Sequence, residues 1–224
     1  MKEFVKSITS PYEKELIETR RYLHRHPELS FQETGTADYI RSTLNALGVP
    51  LMEGISGTST VAVIKGEKTG PCIAFRADID ALPVEEENDL PFKSEVPGVM
   101  HACGHDFHTA IGLVLARWIS EQRAKLRGKI ILLFQPAEEG SRGARAVSAS
   151  GLLDEADYFA AAHVGMMART GEVVIDPYGF LCGTKFNVDF KGRAAHCASE
   201  PEAGKNALAA ACSAFMLLQG ISRS

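Results

Sequence analysis

The apolar positions in the earlier part of the chain alternate between a helical and a strand-like period. Residues 33–47 carry apolar side chains at the spacing of one helix face, and Gly48 follows as a C-terminal cap. Residues 58–65 and 72–77 are strand-like, and 129–134 (KIILLF) form the continuous apolar run of a buried strand. The pattern predicts strands separated by helices.

Two further helices are predicted around these strands. Ser10 and Pro11 are typical of a helix start, and this helix is predicted to end near Arg25, before Pro27. Asp106 is a candidate N-cap for a helix that ends near Glu121. The inward face of that second helix is predicted to consist of Ile111, Val114, Leu115 and Trp118.

The alternation continues beyond these elements. Residues 83–99 are rich in proline and charge and predict a loop. A short helix is expected near 143–152, followed by strands near 157–163 and 171–175. Alternating strands and helices favour the α/β class, in which a sheet is flanked by helices.

The pattern changes near residue 183. Residues 184–191 alternate apolar and polar side chains, which predicts a half-exposed strand, and an alanine-rich helix is expected from about Glu202 to Gln219. One strand and one helix cannot bury a core by themselves. We therefore expect residues 1–183 to form one domain and residues 184–224 to begin a smaller, incomplete α+β domain.

The composition excludes several functional classes. Among 224 residues, 24 are basic and 28 acidic, and no basic tract is dense enough to make nucleic acid an expected partner. The N-terminus has no apolar signal core and no run reaches membrane-spanning length, so we expect a cytoplasmic protein without a membrane partner. The five cysteines are odd in number and widely spaced, which favours reduced thiols.

Candidate chemistry concentrates in residues 100–106 (MHACGHD), where Cys103 and His105 flank a glycine. Further polar side chains follow strand-like runs at Asp78, Glu138, Glu139 and His163. Open α/β sheets place functional residues at the carboxyl ends of their strands. We therefore expect these side chains to converge on a metal.

The residue types favour hydrolysis of an amide. A divalent metal supplies both a nucleophile and a positive centre for the carbonyl oxygen, and two metals can share a bridging hydroxide. A thiolate ligand favours zinc, while the oxygen and nitrogen ligands also suit manganese or cobalt. Of the two adjacent glutamates, one can bind metal while the other moves a proton. We assign Glu138 as general acid/base and Glu139 as ligand.

The remaining histidines leave alternatives open. His24 and His26 lie at a predicted helix end before Pro27, where a capping role is expected. His101 and His108 flank the candidate ligands, and they either contact the site or serve only in packing.

Six motifs make the chain resemble the dinuclear metal amidohydrolases of the aminoacylase and metallocarboxypeptidase family. Within this family it is most similar to the aminobenzoyl-glutamate hydrolases, and also to hippurate and indole-acetyl-amino-acid hydrolases. The motifs occur in the expected order and are HRHPELSFQE (24–33), AFRADIDALPV (74–84), MHACGHDFHTA (100–110), FQPAEEGSRGARAV (134–147), AAHVG (161–165) and GRAAHCASEPEAGKNAL (192–208).

The resemblance implies a site that holds two divalent metal ions, Mn²⁺ or Zn²⁺. Glu138 is then the catalytic acid/base that serves a metal-bound hydroxide, and Asp78 is a carboxylate that orients the site. Arg76 stands where many relatives have a histidine ligand, as in the branch that uses a cysteine. The implied protein ligands are Cys103, His105, Glu139 and His163.

The resemblance also implies a domain plan. Residues 1–183 would form the catalytic domain around a phosphorylase/hydrolase-like zinc-peptidase sheet, and residues 184–224 would begin an inserted lid or dimerisation domain. In that second domain, His196 resembles a histidine that reaches into the partner subunit's site, although a surface-loop role is the alternative. Asn206 stands where many sister enzymes have aspartate, and it is a further substrate-binding candidate. The implied assembly is a homodimer or a complex with a related subunit.

The implied activity is cleavage of the amide of a small N-acyl amino acid, with aminobenzoyl-glutamate as the leading candidate. Family members are longer, so the chain is expected to be C-terminally truncated, with a last histidine ligand beyond Ser224. Two alternatives remain. The chain is an inactive remnant or a fragment that needs the missing half, or it is a deacylase or carboxypeptidase with another acyl specificity.

Overall fold

The computed structural model describes most of the chain, in two compact units. The first unit extends to Val174 and the second begins at Ile175. The expected domain boundary between residues 183 and 184 lies outside the described residues. The described residues are 2–52, 57–140, 143–165, 169–175 and 187–221.

The described residues form six α-helices and five β-strands. The helices are Lys2–Thr9 (α1), Glu13–Arg25 (α2), Thr34–Ala46 (α3), His105–Glu121 (α4), Gly143–Ala149 (α5) and Ala207–Gln219 (α6). The strands are Leu51–Met52 (β1), Thr60–Lys65 (β2), Lys68–Asp78 (β3), Arg127–Gln135 (β4) and Tyr158–Ala161 (β5). Short 3₁₀ turns lie at Ser10–Tyr12, Arg123–Lys125 and Pro201–Ala203.

The five strands form one mixed sheet in the order β1-β2-β4-β3-β5. Strand β4 pairs antiparallel with β2 and parallel with β3, and β5 is also parallel to β3. The three parallel strands therefore end at the same edge of the sheet, at Asp78, Gln135 and Ala161. The loops that follow these strands carry the candidate residues, and the α/β prediction is confirmed.

The central strand β4 explains how the core is built. Its apolar run is buried on both faces, and successive side chains point to opposite sides of a strand. Leu132 and Phe134 pack with residues of α3 and α4, such as Leu44 and Leu113. Ile131 and Leu133 pack on the other face, with Val147 of α5 among their neighbours. The sheet is thus covered by helices on both faces, as the continuous apolar run predicts.

The inward face of α4 differs from the prediction. Its buried residues include Gly112, Leu113, Ala116 and Ile119. A Cβ atom at Gly112 would lie only 2.8 Å from the Phe134 ring. Small side chains allow this close approach to the sheet. The four apolar residues predicted to face inward are half-buried. All four help to line an apolar groove of about 670 Å³ beside α1 and α2, and Leu115 and Trp118 also pack against the core, so the prediction is right in part.

Two predicted strands are absent from the described residues. Residues 172–175 have no regular structure, their apolar side chains Val173 and Val174 are exposed, and no strand among the described residues pairs with them. Residues 187–190 are likewise exposed and irregular, while 184–186 lie outside the described residues. Among the described helices, none is long and apolar enough to cross a membrane.

Candidate metal centre

A left-handed glycine forms the turn before α4. Gly104 has φ +87°, and a Cβ atom there would lie 2.3 Å from Cγ2 of Val164. Both the conformation and the close approach therefore require glycine. The turn leaves Cys103 just before the helix and makes His105 its first residue.

The candidate ligands converge around His105. Ligand atoms of Cys103, His105 and His163 lie within 4.8 Å of one another, and the same holds for His105 with Glu138 and Glu139. Sγ of Cys103 lies 3.5 Å from Nε2 of His163, and Nε2 of His105 lies 3.9 Å from Oε1 of Glu139. The fold thus brings together residues from three separate segments at the carboxyl edge of the sheet.

Backbone carbonyls set the orientation of two histidines. Nδ1 of His105 donates to the carbonyl oxygen of Asp80 at 2.9 Å, and Nδ1 of His163 donates to that of Val164 at 2.6 Å. A carbonyl oxygen only accepts, so Nδ1 carries a proton, and Nε2 of the neutral ring then offers a lone pair. Nε2 of His105 is buried and makes no hydrogen bond with any described residue. A buried lone pair of this kind fits a metal ion.

The electrostatics of the site also fit a cation. Burial raises the pKa of the Cys103 thiol to about 12, and the nearby carboxylates of Glu139, Glu138 and Asp78 add to this effect. A divalent ion would offset this concentration of negative charge and stabilise the thiolate. Sulfur, imidazole and carboxylate donors together suit zinc, and the nitrogen and oxygen donors also suit manganese.

Asp78 is held by protein groups on both of its oxygens. Oδ1 accepts from Nδ1 of His108 at 2.5 Å, and Oδ2 accepts from Nη1 of Arg76 at 2.9 Å. Burial raises the pKa of Asp78, but the His108 hydrogen bond and the charges of His105 and Arg76 outweigh it and hold the pKa below its usual value. This environment suits an orienting carboxylate.

The structure distinguishes the two histidines whose roles were open. Nε2 of His108 accepts from the backbone N–H of Val164 at 2.9 Å, so His108 links Asp78 to the segment that carries His163. His101 is buried without a hydrogen-bond partner among the described residues. Burial lowers the pKa of His101 to about 4, which fits a packed neutral ring.

Comparison with known proteins shows the family. The sequence profile of peptidase family M20/M25/M40 matches residues 74–221. This range includes every candidate residue except His24 and His26. The chain belongs to this family. The matched range covers the turn with Cys103 and His105, the glutamate pair and most of the second unit.

Relatives of this M20 chain carry amidohydrolase names. It is 46% identical to a homolog of a p-aminobenzoyl-glutamate hydrolase subunit from Haemophilus influenzae over 77% of the chain and 42% of the relative. It is 42% identical to an N-acetyl-L-cysteine deacetylase of Bacillus subtilis over 95% of the chain and 51% of the relative. The chain thus spans about half the length of the curated relatives it matches.

A solved structure is similar to the M20 chain as well. It is that of a dinuclear metal-binding peptidase of Bacillus subtilis, 46% identical, with a TM-score of 0.66. The match covers 69% of the chain and 43% of the solved protein.

Two buried carboxylates near the site were missed from the sequence. Asp80 accepts from the backbone N–H of Glu139 at 2.9 Å and from Oγ of Ser30 at 2.7 Å. Burial raises the pKa of Asp80, but hydrogen bonds from His105, Ser30 and the backbone outweigh it and lower the pKa. A signal existed, because Asp80 follows Asp78 by two residues, the period of a strand. Glu33, which accepts from the backbone N–H of Ala137, had no comparable signal.

His24 has another role than the predicted cap. It is buried, with Nδ1 at 2.7 Å from Oδ2 of Asp106 and Nε2 at 3.2 Å from Oε1 of Glu86. Burial lowers the pKa of His24, but these two carboxylates outweigh it and raise the pKa. Arg20 completes the cluster at 2.8 Å from Asp106, which ties α2 to the first turn of α4. The capping expectation for His26 fits better, since Nδ1 bonds the carbonyl oxygen of Tyr22 in the last turn of α2.

The two candidates of the second unit have local partners. Nδ1 of His196 accepts from the backbone N–H groups of Ala198 and Ser199, both at 3.2 Å. The Asn206 side chain accepts from the N–H of Ala209 at 2.9 Å and is the N-cap of α6. Both side chains are exposed.

Proposed function

We propose that the protein is a metal-dependent amidohydrolase that cleaves the amide of N-acyl amino acids, with aminobenzoyl-glutamate as the leading substrate. The observation that carries the proposal is the convergence of Cys103, His163 and the glutamate pair on His105. The family and the names of the relatives support the reaction class.

The four proposed ligands would hold two divalent ions, Mn²⁺ or Zn²⁺. Cys103 would bind through its thiolate, His105 and His163 through Nε2, and Glu139 through its carboxylate. When bound, such ions supply an acidic water and a positive centre for the carbonyl oxygen. Asp80 and Val164 keep both imidazoles in the tautomer that this binding needs.

Glu138 is the proposed general acid/base. It is half-buried, and its carboxylate lies within 4.8 Å of the ligand atoms of His105 and Glu139. From there it can take the proton of the attacking water and give it to the leaving amine. Asp78, held by His108 and Arg76, would orient this arrangement without touching the substrate.

Substrate binding would also involve the second unit. We assign His196 and Asn206 to this role, with His196 reaching the site of a partner subunit in a dimer or a related assembly. The domain plan would then be a catalytic domain over residues 1–183 and a lid domain that begins at 184.

The decisive variant is Glu138→Gln, which keeps the shape of the side chain and removes its basicity. We expect metal content to stay as in the unchanged protein and turnover to fall by about 10²–10⁴-fold. Metal content is measured by elemental analysis, and turnover on a panel of aminobenzoyl, acetyl, benzoyl and indole-acetyl conjugates. Glu18→Gln, at an exposed position on α2, is the matched control.

Two outcomes would count against the proposal. Full turnover by Glu138→Gln with metal bound would remove the assigned role of Glu138. Absence of hydrolysis of every conjugate by the metal-loaded chain would refute the proposed activity. A preference for acetyl conjugates would shift the substrate toward that of the deacetylase relative.

A further inference from the structure

The turn that carries the glutamate pair has an unfavourable backbone conformation. Ala137, directly before Glu138, has φ +53° and is fully buried. An alanine in the left-handed region is strained, and such strain persists only where the surroundings enforce it. Some part of the structure must therefore hold this turn.

Glu33 holds one side of the turn. Its side chain is fully buried, Oε1 accepts from the N–H of Ala137 at 2.9 Å, and Oε2 accepts from Oγ1 of Thr58 at 2.7 Å. Glu33 occupies the N-cap position of α3, yet its side chain makes no capping hydrogen bond there. Glu28 supplies that cap, since its carboxylate accepts from the N–H groups of Gly35 and Thr36.

Asp80 holds the other side of the turn. It is 1% exposed, and Oδ2 accepts from the N–H of Glu139 at 2.9 Å and from Oγ of Ser30 at 2.7 Å. Its Oδ1 lies 3.2 Å from Nδ1 of His105. One carboxylate thus connects the backbone of a proposed ligand with the imidazole of another.

The backbone around the turn leaves little room for another arrangement. The N–H of Gly143 donates to the carbonyl oxygen of Ala137 at 3.2 Å. A Cβ atom at Gly143 would lie 1.7 Å from the carbonyl oxygen of Pro136, and one at Gly140 would lie 3.2 Å from Ser30. The turn is therefore packed against α5 on one side and fixed by two carboxylates on the other.

We propose that Glu33 and Asp80 are positioning residues that clamp the turn at residues 136–139, so that Glu138 and Glu139 face His105. Neither carboxylate is assigned a contact with metal or substrate. Each acts through a backbone N–H, and Asp80 also contacts the imidazole of His105. Hydrogen bonds from a backbone N–H to a carboxylate are stronger than those to a neutral acceptor, which suits a strained turn. The inference rests on the proposed roles of Glu138 and Glu139.

The test compares Glu33→Gln and Asp80→Asn with Glu28→Gln in the full chain. Each change replaces the charged carboxylate with a neutral amide, whose single oxygen is a weaker acceptor for a backbone N–H and whose NH₂ group cannot accept at all. Glu28→Gln is the matched control because Glu28 also accepts hydrogen bonds from backbone N–H groups, at the start of α3. It lies in the same segment as Glu33, HRHPELSFQE (24–33). Zinc affinity is measured by titration calorimetry, and backbone protection at residues 137–139 by hydrogen exchange.

We expect Glu33→Gln and Asp80→Asn to weaken zinc binding by about 10–100-fold, as loss of an outer hydrogen-bond partner of a metal site does. Amide exchange at residues 137 and 139 should become at least about 10-fold faster, and kcat should fall with KM unchanged. Glu28→Gln should show none of these changes. Zinc affinity and exchange equal to those of Glu28→Gln would overturn the clamp.

Milder variants keep the test decisive if either substitution prevents folding. Ser30→Ala and Thr58→Val remove only the hydroxyl that fixes each carboxylate. We expect smaller changes in the same direction, and their complete absence from both variants would also overturn the clamp. If the unchanged chain binds zinc but hydrolyses no conjugate, the proposed function fails while zinc affinity and exchange still decide the clamp.

Discussion

At the scale of single residues, His105 connects the functions of the site. Its Nδ1 donates a hydrogen bond to the carbonyl oxygen of Asp80, and its buried Nε2 lies near the thiol and carboxylate groups of the other proposed ligands. The sequence indicated His105 and Cys103 through their spacing around a glycine. It could not indicate Glu33, because a glutamate at a helix start is ordinary and its partner Ala137 lies 104 positions away.

A residue-scale prediction concerns the cysteine. Cys103→Ser replaces a soft sulfur with a harder oxygen, so zinc affinity should fall by at least about 10-fold while manganese affinity changes less. Competition titrations with both metals on the metal-free protein measure this. Cys197→Ser is the control, since that thiol is exposed in the second unit. Equal loss for zinc and manganese, or no loss for either, would refute the role of sulfur as a ligand.

At the scale of elements, periodicity predicted the strands of the sheet better than the face of a helix. The continuous apolar run 129–134 identified the central strand, because a strand covered on both faces is apolar at successive positions. The same reasoning was only partly right for α4. Leu115 and Trp118 pack against the core and also line the groove beside α1 and α2, while the fully buried face includes the small residues Gly112 and Ala116. Hydrophobicity does not report how closely two elements approach.

The close approach of α4 to β4 gives an element-scale prediction. Glycine to alanine inside a helix normally stabilises by about 1 kcal/mol. At Gly112, however, the new methyl group would lie 2.8 Å from the buried ring of Phe134, and overpacking of a core costs about 1–3 kcal/mol. We expect Gly112→Ala to lower the free energy of unfolding, as measured by urea denaturation.

A double-mutant cycle tests the cause of that loss. Phe134→Leu alone should destabilise by creating a cavity, but combined with Gly112→Ala it should leave room for the methyl group. The coupling free energy should be at least about 1 kcal/mol in favour of the double variant. Additive effects would show that the contact between Gly112 and Phe134 does not limit the packing of α4.

At the scale of the whole molecule, the site is assembled from distant segments by the parallel strands. The loops after β3, β4 and β5 meet at one edge, where α4 also begins. The sequence predicted this convergence because strand ends in an α/β sheet share an edge. It could not predict the turn at residues 136–139, since a left-handed alanine depends on partners remote in sequence.

The most direct measurement of the central claim is anomalous diffraction at the zinc edge from crystals of the zinc-loaded protein. We predict a peak about 2.0–2.4 Å from Sγ of Cys103 and from Nε2 of His105 or His163, with Glu139 in contact and Glu138 not ligating. Zinc bound elsewhere, or a peak that none of these four residues contacts, would contradict the proposed metal centre.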